Sequence, residues 1–229
     1  MAGNINVVLV HGAWADGSSW ARVIAVLKSD GLNVVAAPLP LTSLADDAAS
    51  LDRSIARLDG PVVLVGHAYA GAVIAETRLK QVKALVYVTA LAPEGGETVA
   101  EVFYRAAPHP LAPKLAPDSN GLIWLPDEAF KSAFAQHASD DDVAVLSAVQ
   151  RPISPACITV PVKRPLWKDV PSFFLLAEED RMIPAETQRF MAKRMKAAVR
   201  EHAVDHAPIV TAPHVVVEII REAIQHAVA

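Results

Sequence analysis

A single cysteine, Cys157, stands in a chain of 229 residues, and it excludes an internal disulfide framework. A reducing compartment is the matching expectation, with the cytoplasm as its default. No apolar run reaches the roughly 18 residues that a membrane span needs. Charge of one sign is lacking too. The 21 Lys and Arg and 25 Asp and Glu leave a net −4, and no basic block is present, so a nucleic-acid partner is not expected. The opening Met1-Ala2-Gly3-Asn4-Ile5-Asn6 has no basic stretch, and no secretory leader is expected from it. No self-similarity appears at a period of roughly 20–50 residues. His202 and His206 are four apart, but the Glu of a His-Glu-x-x-His zinc motif is missing and they fall between a strand and a loop, so no metal is expected. Gly95-Gly96 is a bare turn, and neither a phosphate loop nor a dinucleotide fingerprint is legible, so no cofactor is expected.

What remains is an apolar chain, 52% hydrophobic, long enough for one substantial core and too short for two ordinary domains. Apolar segments at 5–10, 32–37, 62–65, 84–89 and 173–177 read as buried strands, with a short sixth at 200–204. Helical patterns fall between them: one capped by Ser18 or Ser19 and running to about 30, then 44–58, 70–80, 185–196 and 213–226. Strands alternating with helices predict βαβ units and a mostly parallel, doubly wound α/β sheet. The interval from 93 to 168 breaks this rhythm. It is rich in proline, holds helical pieces near 127–136 and 140–149, and carries Phe103, Tyr104, Trp124 and Trp167. So long an insertion between strands is usually functional, and it reads as a helical cap over the carboxyl ends of the strands, with a peripheral helical decoration as the alternative. The resulting division is a core of 1–92 and 169–229 with a cap of 93–168.

The centre of the pattern is Pro61-Val62-Val63-Leu64-Val65-Gly66-His67-Ala68-Tyr69-Ala70-Gly71. A strand runs into a tight turn of small residues and then into a helix. That is the setting of the nucleophile elbow, Gly-x-Ser-x-Gly, where strand and helix backbones nearly touch. Position 68 is alanine, which has no nucleophilic atom. Two further motifs follow strands. One is Glu178-Glu179-Asp180-Arg181-Met182-Ile183-Pro184; the other is Val204-Asp205-His206-Ala207-Pro208. A third, Val10-His11-Gly12-Ala13-Trp14, follows the first strand.

Together with Trp124-Leu125-Pro126, Gln150-Arg151-Pro152-Ile153 and Trp167-Lys168-Asp169-Val170-Pro171-Ser172, these stretches resemble the α/β-hydrolases over the whole chain. The likeness is to the compact branch of hydroxynitrile lyases, plant methylesterases and pyrethroid-hydrolase-type carboxylesterases. It implies roles: Ala68 at the nucleophile position, Asp180 as the acid in preference to Glu178 and Glu179, and His206 as the base. The N–H groups of Ala13 and Tyr69 would form the oxyanion hole. Trp14 is open between core and pocket wall. Tyr104, Trp124 and Trp167 are candidates to line an apolar pocket under the cap, with packing as the alternative for each. His67 is expected to serve the fold, and Trp20 the core. Hydroxynitrile lyases of this type carry a lysine after the histidine where this chain has Ala207, which points away from cyanohydrin cleavage and toward a small-molecule ester or related acyl substrate; the tryptophans favour an apolar or aromatic one. Oligomeric state is not legible.

Three accounts of Ala68 are open at this point. The chain is a serine esterase with its nucleophile replaced and its activity lost. Or it is a non-catalytic ligand binder on this fold. Or His206 and Asp180 work without a nucleophile, as in lyases and cofactor-free oxygenases.

Overall fold

Val-rich segments with apolar residues on both faces belong in the middle of a parallel sheet. The computed structural model, which describes residues 5–227, puts them there. Residues 1–4, where the leader expectation begins, and 228–229 lie outside the described residues. The strands are β1 (Asn6–Val10), β2 (Asn33–Ala37), β3 (Val62–His67), β4 (Val82–Val88), β5 (Ser172–Ala177) and β6 (Ala198–His202). They form one sheet in the order β2-β1-β3-β4-β5-β6, every neighbouring pair parallel. Every residue of β1, β3 and β5 is buried, while edge strand β6 is half-exposed to exposed throughout.

The helices are α1 (Ala21–Ser29), α2 (Leu44–Ile55), α3 (Ala70–Glu76), α4 (Val99–Phe103), α5 (Asp127–Ala129), α6 (Asp140–Val149), α7 (Ala185–Met195), α8 (Pro208–Thr211) and α9 (Pro213–Ala227). Helix α9 lies on β3, β4 and β5 beside α1, whereas α2 packs with α3. Because β2 lies to one side of β1 and β3 to the other, the chain reverses its winding at β1. The crevice at such a switch point, outside the carboxyl ends of the strands, is where open α/β sheets bind ligands. Val10 pairs with Gly66 across this point, so the loops leaving β1 and β3 emerge side by side.

Several boundaries differ from the sequence reading for local reasons. The first helix is entered through a 3₁₀ turn, Gly17–Trp20, capped by the Asp16 carboxylate on Ser18 N–H rather than by a serine. Helix α3 stops at Glu76, because Thr77 turns extended and donates its hydroxyl to Asp52. Strand β6 starts two residues early, where Ala198 pairs with Phe173. The helix expected over 127–136 is a single turn, α5, continued by a π-type turn at Phe130–Phe134. Helix α4 was not read in advance, although Thr98 and Glu101 form a full capping box at its start. Among the described residues no helix is long and apolar enough to cross a membrane.

Candidate active site

At the end of β3 the backbone turns so sharply that Ala68 adopts φ +51°, a left-handed conformation that costs a non-glycine residue on the order of 1–3 kcal/mol. The surroundings hold it there. Its N–H donates to Val88 O, and its carbonyl accepts from Gly71 and Leu91 N–H. Glycine is required nearby by contact. A Cβ on Gly66 would lie 2.8 Å from Ala70 O, and one on Gly71 2.3 Å from Leu91 O. Ala68 opens onto a chamber of about 610 Å³, its mouth included.

His206 reaches the same chamber from the loop between β6 and α8. Its Nδ1–H donates to Asp180 Oδ2 at 2.8 Å, which leaves the Nε2 lone pair toward the cavity, unpaired among the described residues. Asp180, in the loop after β5, is buried and held on both oxygens. Oδ1 accepts from Met182 N–H (2.7 Å) and Ile183 N–H (2.8 Å), and Oδ2 from the Gln188 side chain (2.9 Å). Glu178 and Glu179 are exposed and pair instead with Arg189 and His137. The His206 carbonyl is fixed from below by Thr89 Oγ1 and His67 Nε2. His67 is therefore a structural donor. Burial, reinforced by the neighbouring His206, pushes its pKa down to about 3.

The loop after β1 closes the third side. His11 is buried, which lowers its pKa, and its ring is bound at both nitrogens: Nδ1–H to Gly12 O, Nε2 accepting from Leu39 N–H. A Cβ on Gly12 would meet His67 O and Ala68 Cβ at 2.9 Å, so only glycine lets the loop touch the elbow. Among the described residues the N–H groups of Ala13 and Tyr69 have no hydrogen-bond acceptor, and both residues line the chamber. An oriented imidazole with a free lone pair can take a proton, and two unpaired amides can receive developing negative charge. No nucleophilic side-chain atom stands at the elbow itself.

The remaining walls are apolar. Trp14 and Tyr104 line the chamber, together with Phe103, Leu115, Ile123, Ile153 and Ile158. Trp124 and Trp167 do not, which corrects the sequence reading. Trp124 turns outward, 44% exposed, and its indole N–H donates to Asp118. Trp167 is buried elsewhere, with its N–H on Pro93 O. Sequence reasoning missed the aliphatic residues that take their place. It also missed Asp47, a fully buried carboxylate that accepts a 2.7 Å bond from the Tyr69 hydroxyl. Trp20 lies in the core. Among the described residues no group of three or more His, Cys, Asp or Glu is arranged to hold a metal ion.

The model of the alpha/beta hydrolase family matches residues 7–219. The chain belongs to that family. Among curated alpha/beta hydrolases, nvfD of Aspergillus novofumigatus is 24% identical over 97% of both chains. A putative chloroplastic methylesterase of Arabidopsis thaliana is 25% identical over 94% of this chain and 63% of its own length. Among solved structures, polyneuridine aldehyde esterase superposes with a TM-score of 0.83 at 19% identity, over 96% of this chain and 98% of the other, a likeness of fold.

Proposed function

We propose that this alpha/beta hydrolase has the site of a carboxylic ester hydrolase whose nucleophile seat, position 68, is held by alanine, so that the chain as it stands does not turn esters over through an acyl-enzyme. The observation that carries this reading is the company Ala68 keeps. A left-handed elbow residue, an imidazole oriented by a buried carboxylate, and two unpaired amides all meet on one chamber. Relatives named as esterases support the same class.

In the parent chemistry a hydroxyl at position 68 attacks the ester carbonyl while His206 Nε2 takes its proton. Asp180 holds the ring in the tautomer that leaves Nε2 free. The tetrahedral oxyanion sits on the N–H groups of Ala13 and Tyr69. His206 then returns the proton to the leaving alcohol and activates the water that releases the acid. Residues 93–168 act as a cap that supplies the apolar walls, over a core of 1–92 and 169–229. The substrate is a small, mostly apolar ester, because apart from His206 the side chains lining the chamber are apolar or, at Tyr69 and Tyr104, aromatic. A cytoplasmic location belongs to this reading and rests on the lone, buried cysteine.

A second reading has one observation in its favour. The His206–Asp180 pair is intact and unblocked although no nucleophile stands beside it, which is what a nucleophile-free lyase or oxygenase needs and a pure binder does not.

The test is hydrolysis of a short p-nitrophenyl ester by this chain and by Ala68→Ser, with and without His206→Ala. Loss of the serine costs about 10⁶ in turnover in a serine-protease template, or roughly 8 kcal/mol of barrier. A gain of several orders of magnitude in Ala68→Ser, abolished by His206→Ala, is the expected result. Turnover by the Ala68 chain that His206→Ala stops would transfer the assignment to the second reading. Folded protein inactive in both forms would leave a ligand binder.

A further inference from the structure

Asp47 is a buried ionisable group without a task in the ester chemistry. It lies on the first turn of α2, away from the chamber, and is fully buried. Its carboxylate gathers three separate parts of the chain. Oδ1 accepts from Leu41 N–H at 2.7 Å, at a residue strained to φ +59°. Oδ2 accepts from the Tyr69 hydroxyl at 2.7 Å and from the Cys157 thiol at 3.6 Å. Burial raises the pKa of Asp47 and that of Tyr69, so neither end of the phenol–carboxylate bond is in an ordinary solvated state. A buried carboxylate is costly, and it persists where its hydrogen bonds compensate.

The importance of this bond lies at the other end of the tyrosine. Tyr69 follows the elbow residue and lines the chamber, and its backbone N–H has no acceptor among the described residues. A backbone amide stabilises an oxyanion only if its direction is fixed before the reaction. Tyr69 is the first αR residue after the left-handed Ala68, with φ −52° and ψ −35°, at a turn that stores strain. Its phenol, tied to Asp47, is a lever that sets the rotation of that peptide. The other donor loop is held in a parallel way by the same stretch of the insertion. Trp14 N–H donates to Arg151 O and the Trp14 indole to Ile123 O, which is itself paired with Ile153. Cys157 and Ser154, the latter through its N–H on Leu41 O, continue that stretch to Asp47.

We propose that Asp47 is a positioning residue for the oxyanion site: through the Tyr69 hydroxyl it fixes the direction of the Tyr69 N–H, and through Leu41 and Cys157 it ties that amide to residues 151–157. The proposal rests on the esterase reading for its catalytic consequence, so its test separates the two. In the Ala68→Ser background, Tyr69→Phe removes the hydroxyl and keeps the ring. Misplacement of a reacting group by about 1 Å costs up to about a hundredfold. The expected result is a fall in kcat of roughly ten- to a hundredfold with KM changed less than about twofold, since an oxyanion donor acts in the transition state. The milder Asp47→Asn, which keeps shape and one acceptor, is expected to lose less than Tyr69→Phe. Unchanged kcat in Tyr69→Phe, with only the thermal midpoint lowered, would reduce the bond to a structural one and overturn the proposal.

If Ala68→Ser is itself inactive, the esterase reading falls, and the positioning claim is judged in the Ala68 chain by NMR of the Tyr69 amide in Asp47→Asn. A displaced resonance with faster hydrogen exchange supports the linkage. An amide identical in shift and exchange refutes it.

Discussion

The chamber has two halves of different construction. The half built by the sheet brings Ala68, Ala13 and His206 from loops that leave β3, β1 and β6, and each loop is fixed by hydrogen bonds, that of Ala13 through its neighbours His11 and Trp14. Asp180 accepts four bonds, one of them from His206, and the His206 carbonyl accepts two. The half built by the insertion presents Phe103, Tyr104, Leu115, Ile123, Ile153 and Ile158, and Tyr104 is 58% exposed. Loops on a rigid sheet hold atoms to the tolerance that proton transfer demands, whereas an apolar wall needs only shape. On the esterase reading, reaction and selection are therefore separable, and substitutions on the two sides should be told apart by which kinetic constant moves.

The largest break is on the sheet side. Beyond the gain expected from Ala68→Ser, Asp180→Asn in that background removes the acceptor that sets the His206 tautomer. The matching change in a serine-protease template costs about 10⁴ in kcat. Steady-state kinetics should show that loss in kcat, with KM little changed. A loss carried by KM instead would place Asp180 in substrate binding.

The two halves also differed in how far the sequence disclosed them. The sheet was legible because its strands are apolar on both faces. The elbow was legible because its small residues are contiguous. Asp180 and His206 stand in loops directly after strands, in the order that the family resemblance supplies. The wall was not legible, because size is a poor guide to facing. Along one extended stretch Ile123 turns into the chamber and Trp124 turns to solvent, and an alternation of period two gives no sign of its phase. Asp47 was legible and overlooked. It sits beside Asp46 in what reads as an acidic helix start, yet it falls on the stripe Leu44, Asp47, Leu51, Ile55 that α2 buries. A carboxylate on an apolar stripe signals a partner.

Next in size come two stability effects. Gly71→Ala drives a Cβ to 2.3 Å from Leu91 O, backbone that cannot yield without moving the elbow. Overpacking of this kind costs about 1–3 kcal/mol, and the thermal midpoint should drop by several degrees. Gly121→Ala in the insertion has open space around its Cβ but φ +78°, so only backbone strain, about 1 kcal/mol, is expected. Equal losses would erase the contrast between the halves.

The second effect is a pH dependence confined to the sheet side. His67 and His11 are buried neutral, with pKa values depressed by burial, that of His67 to about 3. Below pH 6.5 the unfolded chain takes up protons on these rings that the folded chain refuses. Stability therefore falls as pH drops, and for His67 it goes on falling to about pH 3. Between pH 6.5 and 5 the His67 share is ~1.6 kcal/mol. Urea midpoints should fall over that interval, and less steeply in His67→Asn, whose amide can still donate to the His206 carbonyl.

The smallest effect tests the insertion alone. Tyr104 lines the chamber at its open side, and its ring stacks edge-on against Phe103 with centroids 4.9 Å apart. Being mostly exposed, it contributes little to stability, so Tyr104→Ala should leave the unfolding free energy within about 0.5 kcal/mol of the parent. On the esterase reading its ring would meet the substrate in the ground state and the transition state alike. In the Ala68→Ser background KM for an aromatic ester should rise by about tenfold while kcat holds, because contacts made equally in both states are lost from KM alone. A fall in kcat at constant KM would mean that this apolar wall also orients the reacting carbonyl, and that the division between a reacting half and a selecting half is drawn in the wrong place.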